Sequence, residues 1–151
     1  MKHGGRLSRM LEGFTYVLMA FDLLLMVALP WIVEVLTSQT RASVLYVHYL
    51  LFLYVTGVFA LPVLWQCRGI LRNVNAGNPF CADTVRRLRI LGVECLVLSV
   101  VWLVFVVILD VFKFLMAFLM IMFAFIGLIL FVFAELFAQA NAYKEENDMT
   151  I

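Results

Sequence analysis

The sequence contains little charge and few of the residues that build catalytic or metal sites. Asp, Glu, Lys and Arg make up 14% of its 151 residues, whereas an ordinary soluble domain has about 25%. There are two histidines and three cysteines, without the CxxC pair that would indicate a zinc or thioredoxin-type site. So few charges cannot cover the surface of a water-soluble fold of this size. A soluble enzyme, a disordered chain and a nucleic-acid-binding domain are therefore excluded as the whole molecule.

Hydrophobic residues, in contrast, make up 66% of the chain and are concentrated in four long runs. Each run is long enough to cross a bilayer as a helix, which takes about 20 residues, and too continuous for a barrel strand. Only residues 110–113 separate the last two runs, so these two helices are expected to form an antiparallel hairpin. The sequence predicts an all-α fold: a single integral membrane domain over residues 1–151, built as an antiparallel four-helix transmembrane bundle. The predicted spans are residues 14–36, 44–65, 90–109 and 114–134.

The distribution of Lys and Arg predicts which side of the membrane each connection faces. With an even number of spans, both termini lie on the same side as the connection between the second and third spans. Nine of the eleven Lys and Arg residues fall on that side, and basic connections remain cytoplasmic in multi-pass proteins. Residues 66–89 are therefore predicted to be a cytoplasmic loop and residues 135–151 a cytoplasmic tail.

Helices are predicted to extend beyond the membrane on this side. Residues 65–74 contain no strong helix breaker except Gly69, so the second helix could continue through them. Turn formers follow at residues 75–80, and the third helix is expected to begin between residues 81 and 84. The fourth helix is expected to continue to Tyr143. The predicted bundle thus has cytoplasmic helix extensions.

Small residues of the fourth helix fall within a stripe about 100° wide, and Glu135 lies on the same stripe. Because small side chains let another helix approach closely, this face is expected to pack inward. The small residues are Ala117, Ala124, Gly127, Ala134, Ala138 and Ala142. The phenylalanines expected to point mainly elsewhere are Phe118, Phe123, Phe125 and Phe133.

Three carboxylates are predicted at similar depth in the half of the membrane nearer the cytoplasm. Asp22 lies in the first span, Glu94 in the third and Glu135 at the end of the fourth. An intramembrane charge costs roughly 2.5–3.5 kcal/mol on insertion scales, so each one requires a reason. In a structural interpretation, Asp22 or Glu94 is neutral, or pairs with an arginine and locks the bundle. In a functional interpretation they form a proton-coupled or cation-binding site, for which Asp22 is the strongest candidate because it lies deepest.

The polar residues of the cytoplasmic loop and tail form a second candidate site. The basic loop and the acidic tail could present complementary surfaces to a cytoplasmic partner or to each other. Alternatively, the arginines anchor the helices by reaching the lipid headgroups. The candidate partner-binding residues are Arg72, Asn78, Pro79, Phe80, Arg86, Arg87, Arg89, Glu145, Glu146 and Asp148.

Two segments of the chain resemble a known family. Residues 77–80 read GNPF and are followed by TVRRLRILG at 84–92, and the chain ends in EENDMTI at 145–151. Together with the hydrophobic layout, these segments resemble the YoaS-like family of small bacterial four-helix membrane proteins, a domain of unknown function. The resemblance implies a place in the bacterial cytoplasmic (inner) membrane and no established catalytic activity. Such proteins are commonly encoded beside an XRE-type helix-turn-helix regulator, which the resemblance suggests as a partner.

These observations favour an uncharacterised multi-pass membrane protein that regulates or binds a cytoplasmic protein, such as a helix-turn-helix transcription regulator. The alternative is a small transporter or channel subunit that uses the intramembrane carboxylates and forms a homo-oligomer, because four helices are few for a pore. No nucleophile or set of metal ligands accompanies the carboxylates, so no enzyme activity, cofactor or metal is expected. The expected partners are membrane lipid, the regulator and, in the alternative, further copies of the chain, without direct contact with nucleic acid.

Overall fold

The computed structural model describes residues 4–37, 43–108 and 113–149, and these residues form four α-helices. The helices are α1 (Gly4–Thr37), α2 (Ser43–Asn75), α3 (Ala82–Ile108) and α4 (Lys113–Met149). All four are long and apolar enough to cross a membrane. The predicted all-α transmembrane fold is therefore confirmed.

The helices are longer than their apolar runs at one end of the molecule. As expected, α2 continues past residue 65 to Asn75 and α4 continues past residue 134 to Met149. The predicted loop at residues 66–89 consequently consists largely of helix. The 37 residues of α4 correspond to about 55 Å at about 1.5 Å per residue, whereas the hydrocarbon core is about 30 Å thick. We call the end formed by residues 4–13, 66–89 and 135–149 the polar end.

A glycine turn ends α2 and reverses the chain toward α3. Gly77 has a φ of 77°, a left-handed conformation that glycine adopts without steric cost. The backbone N–H of Gly77 donates to the carbonyl of Val74 at 3.1 Å, and that of Asn78 donates to the carbonyl of Asn73 at 3.1 Å. This pair of bonds is the Schellman arrangement, which satisfies the last carbonyls of a helix. Pro79 follows and prevents the helix from continuing.

Close backbone contacts in the described residues join only helices that are consecutive in the chain. The contact between α3 and α4 is the most extensive, that between α1 and α2 comes next, and that between α2 and α3 is the smallest. The molecule is thus two antiparallel hairpins joined side by side through α2 and α3. As the outer helix of its hairpin, α1 leaves many large apolar side chains exposed, among them Phe14, Phe21 and Trp31. Contact of such an apolar surface with lipid is favourable, whereas its contact with water would be unfavourable.

The apolar core lies in the half of the molecule away from the polar end. Trp102 and Met116 are 1% and 0% exposed, and they form a cluster with Leu98. From α2, Phe52 packs against this cluster, with its ring centroid 5.0 Å from that of Trp102. Phe123 also packs against the cluster, so its predicted outward orientation is wrong. Side chains of α2, α3 and α4 therefore meet in one core.

The predicted close contact along the small residues of α4 is confirmed at its centre. Gly127 and Gly92 meet so closely that a Cβ on Gly127 would lie 3.0 Å from the carbonyl oxygen of Gly92. Ala134 is fully buried. In the same interface, the hydroxyl of Ser99 donates to the carbonyl of Met120 at 2.9 Å. Small residues and a hydroxyl that bonds to the opposite backbone are the usual means of holding membrane helices together.

The expected inward orientation of Glu135 is wrong. Glu135 is exposed, although its neighbour Ala134 is fully buried. The reason is geometric, because one residue advances the helix surface by about 100°, and the buried line of α4 follows Met116, Gly127 and Ala134. Glu135 therefore lies at the edge of the predicted stripe, where a charged side chain can remain solvated.

Candidate functional site

Asn73 links the end of α2 to the beginning of α3. Its side-chain Nδ2 donates to Oδ2 of Asp83 at 2.9 Å and to Oγ1 of Thr84 at 3.0 Å. Thr84 is fully buried, so this hydrogen bond satisfies a hydroxyl that has lost contact with water. A single amide therefore fixes the angle at which the two helices meet.

Arg87 makes the second link between α2 and α3. Its Nε lies 2.7 Å from Oδ2 of Asp83, one turn earlier on α3, and its Nη1 donates to Oε1 of Gln66 on α2 at 3.1 Å. The guanidinium lies against Gly69, where a Cβ would come within 2.3 Å of Cζ. The missing side chain at position 69 thus leaves the space that the guanidinium occupies.

Asn75 connects α2 to α1. Its Nδ2 donates to Oε2 of Glu12 at 2.6 Å, and its Oδ1 accepts a hydrogen bond from the hydroxyl of Ser8. Further along the same interface, the guanidinium of Arg68 lies over the ring of Tyr16, with Cζ 4.3 Å from the ring centroid. Such a cation–π contact holds a positive charge near the membrane without a carboxylate partner.

The extension of α4 is attached to the turn between α2 and α3. Nζ of Lys144 donates to Oδ1 of Asn78 at 2.8 Å, and the rings of Phe80 and Phe137 pack with centroids 4.9 Å apart. These two contacts hold the extension of α4 against the turn between α2 and α3. All four helices are therefore linked there by polar or aromatic side chains.

The structure divides the predicted partner-binding residues into three groups. Arg87, Asn78 and Phe80 make the contacts within the chain described above, and Pro79 is half-buried beside them. Three others are exposed: Arg72 near the end of α2, and Glu145 and Glu146 near the end of α4. We call the last two residues the tip of α4. The exposed arginines at positions 86 and 89 line a cavity between α3 and α4. The side chain of Asp148 lies outside the described residues. Nothing tests a partner role for any of these residues, and that role remains a prediction.

The three predicted intramembrane carboxylates are not brought together. Asp22 lies in the groove between α1 and α2, beside Gly57, and lines cavities of about 170 and 300 Å³. Glu94 lies on α3, close enough to Cys67 and Cys95 to interact with them electrostatically. Glu135 is exposed at the polar end. One oxygen each of Asp22 and Glu94 is buried without a hydrogen-bond partner in the described part of the chain.

Sequence reasoning missed the amides and the glycine that organise the polar end. The sequence places Asn73 only in a helix extension and Asn75 only in a turn, although both bond to other helices. The sequence marks Gly69 as the strong helix breaker within residues 65–74, whereas in the structure it lies inside α2 and makes room for Arg87. A weak signal was present, because an asparagine that is partly buried at the end of an apolar helix needs a hydrogen-bond partner in the protein. Which partners they take depends on helix rotation, which one sequence does not reveal.

The residues that the structure describes contain no candidate metal centre. Nowhere among them do three His, Cys, Asp or Glu side chains come together in a group that could hold an ion. The cysteines at positions 67, 81 and 95 are free thiols. The arrangement at the polar end is instead one of charges and amides that can bind anions or another protein.

Comparison with known proteins places the chain in a family. A family model described as "Protein of unknown function (DUF2975)" matches residues 14–151. The chain therefore belongs to this family. The match confirms a family of unknown function over nearly the whole chain, and it carries neither the YoaS designation nor a neighbouring regulator. No curated protein and no solved structure matches the chain.

Proposed function

We propose that this DUF2975 protein is a non-catalytic, multi-pass protein of the bacterial cytoplasmic membrane that holds a cytoplasmic protein at its polar end. The partner class we propose is a protein with a basic surface, such as a helix-turn-helix transcription regulator. The observation that carries this proposal is the helical extension of α4 beyond its apolar run, which exposes Glu145 and Glu146 at its tip.

Charge distribution supports a cytoplasmic polar end. Nine of the eleven Lys and Arg residues lie on the side of the polar end and both termini. Lys and Arg near the ends of membrane spans keep a connection on the cytoplasmic side. A partner at this end would therefore be met in the cytoplasm.

The contacts of the extension support an acidic docking surface. Lys144, the basic residue of this segment, donates to Asn78 on the turn and is thereby held toward the body of the protein. Asn141 donates to Oε1 of Glu145 at 2.8 Å and orients that carboxylate. An oriented acidic surface complements the basic face that a DNA-binding protein presents. Binding there would compete with DNA for the same face of the partner.

Charge reversal of the tip tests this proposal. The tagged protein is recovered in mild detergent from the cells in which it occurs, and the co-purifying proteins are quantified by mass spectrometry. A basic protein that binds wild type should be recovered at least tenfold less with the double variant E145K/E146K, because attraction becomes repulsion. The matched control is E135K, which makes the same change at an exposed position of α4 away from the tip.

Direct binding of the two purified proteins completes the test. The recovered partner should bind wild type and E135K in detergent, should not bind E145K/E146K, and should be displaced by duplex DNA. Equal recovery with all three proteins, or recovery of the chain with lipid alone, would contradict the proposed role.

A second candidate function rests on the buried, unpartnered oxygens of Asp22 and Glu94. A carboxylate in an apolar groove can carry a proton or hold a cation, and intramembrane acids commonly mark such pathways. Because the two groups lie in different grooves, this role requires a homo-oligomer in which further copies complete the path. In proteoliposomes, D22N should abolish a pH-dependent cation flux that the control E34Q retains. Flux that persists in D22N would eliminate this candidate.

A further inference from the structure

A cavity of about 370 Å³ opens between the beginning of α3 and the extension of α4. Its wall combines apolar side chains with two arginines and an amide. The lining residues are Ala82, Val85, Arg86, Arg89, Ile90, Ala138 and Asn141. The tip residues Glu145 and Glu146 are not among them, but Asn141 donates to Glu145, so the cavity borders the proposed docking surface without including its carboxylates.

The two arginines of the cavity keep their N–H groups available to an anion. Arg86 and Arg89 are three residues apart, which places them on the same face of α3. Within residues 4–37, 43–108 and 113–149, neither has a direct ion pair or a side-chain hydrogen bond, and Arg86 interacts with the Asp83 carboxylate only electrostatically. Arg87 between them differs, because its guanidinium is held by Asp83 and Gln66. The sequence RRLR thus contains one structural arginine and two that face the cavity.

The hydrogen bonds of the nearby acidic groups come from other donors, although Asp83 also feels the charge of Arg86. Oδ2 of Asp83 accepts hydrogen bonds from Asn73 and Arg87. Oε1 of Glu145 accepts one from Asn141. The Nδ2 of Asn141 carries a second hydrogen, which leaves it able to donate to a further acceptor.

The cavity lies at the level where the apolar part of the helices begins. Ile90, in its wall, is the first residue of the apolar run of α3, and Ala138 follows the end of the apolar run of α4 by one turn. Exposed valines continue along α3 from the arginines at helical spacing: Val93, Val97 and Val100 are 51%, 45% and 59% exposed. A cationic cavity is therefore followed by an apolar track on the same face.

We propose that this cavity binds the phosphate of an anionic phospholipid, with Arg86 and Arg89 as donors and the acyl chain along the valines of α3. A planar guanidinium with several N–H groups matches a phosphate better than a point charge does. Basic pockets between membrane helices on the cytoplasmic side are a recurrent way to recognise anionic headgroups. The apolar track distinguishes a lipid from a free anion, which would gain nothing from it.

Lipid titration of the purified protein tests this site. Delipidated protein in detergent is titrated with phosphatidylglycerol or phosphatidylcholine, and bound lipid is counted by native mass spectrometry. R86Q and R89Q should each weaken binding of phosphatidylglycerol roughly fivefold and leave phosphatidylcholine unchanged, since each removes one cation near the membrane surface. The matched control R72Q removes an exposed arginine of the same end outside the cavity, and it should bind as wild type does.

A variant that keeps every charge separates a built site from diffuse attraction. A138F fills the cavity and should abolish the preference for phosphatidylglycerol, and A138V serves in its place where A138F lowers the melting temperature of the protein. Equal losses in R72Q and R86Q, or an unchanged preference in the filled variant, would overturn the proposal. So would displacement of the lipid by inorganic phosphate in large excess, which would assign the site to a soluble anion.

Discussion

Gly127 shows how much depends on a single missing side chain. A Cβ at this position would lie 3.0 Å from the carbonyl oxygen of Gly92 and 3.0 Å from Cγ of Leu96. The carbonyl belongs to the backbone of α3 and cannot turn aside as the end of a long side chain can. Any larger residue must therefore move one helix relative to the other. The packing of membrane helices depends on such close approaches, because lipid competes equally well for apolar side chains.

We predict that G127A destabilises the protein. Overpacking a close contact costs about 1–3 kcal/mol, against which the better helix propensity of alanine returns up to about 1 kcal/mol. The matched control is G13A, since a Cβ on Gly13 would meet nothing within 4 Å. Unfolding followed by circular dichroism in detergent should show a lower midpoint for G127A and an unchanged or higher midpoint for G13A. Equal shifts in both variants would refute the close contact.

At the scale of helices, the joint between the two hairpins is polar where it reaches the polar end. The contact between α2 and α3 is the smallest of the three helix contacts. Arg87 and Asn73 reinforce it from opposite sides, since Arg87 reaches from α3 to Gln66 and Asn73 reaches from α2 to Asp83. Directional bonds of this kind fix the rotation of one helix relative to another. Apolar contacts in lipid specify that rotation less sharply.

A double-mutant cycle tests the joint. G69A should displace the guanidinium of Arg87 and cost about 1 kcal/mol of unfolding free energy, the usual value of a partly exposed charge-assisted link. In the R87A background the same substitution should cost nothing, or stabilise α2 through the higher helix propensity of alanine. Additive effects in this cycle would show that Gly69 and Arg87 do not act together.

At the scale of the whole molecule, charge is distributed along the membrane normal. The polar end contains the helix extensions and most of the basic residues, whereas the core around Trp102 lies toward the other end. This asymmetry supports the proposed orientation, because basic connections of multi-pass proteins are retained in the cytoplasm.

Reporter fusions test this orientation. Green fluorescent protein fused after Ile151 should fluoresce, and alkaline phosphatase fused there should be inactive, because its disulfides form only outside the cytoplasm. Alkaline phosphatase inserted between residues 110 and 111, in the connection of α3 to α4, should be active and serves as the matched control. The reverse pattern at the two positions would invert the proposed orientation.

The sequence was informative wherever hydrophobicity alone decides the structure. Four apolar runs gave the number of helices, and turn formers at residues 75–80 located the break between α2 and α3. It was uninformative wherever the rotation of one helix against another decides. The stripe of small residues on α4 was predicted, but the residue of α3 that it meets, Gly92, was not. Glu135 was expected to face inward with the stripe and is exposed instead. One sequence specifies the faces of each helix and leaves open which neighbouring face each of them meets.

The arrangement of contacts has a consequence for biosynthesis. In the described residues, each helix closely approaches only helices next to it in the chain, so no close backbone contact of a helix has to wait for a helix beyond the next one. A nascent chain that has delivered only α1 and α2 to the bilayer already holds every close backbone contact that α1 makes with another helix in the finished protein.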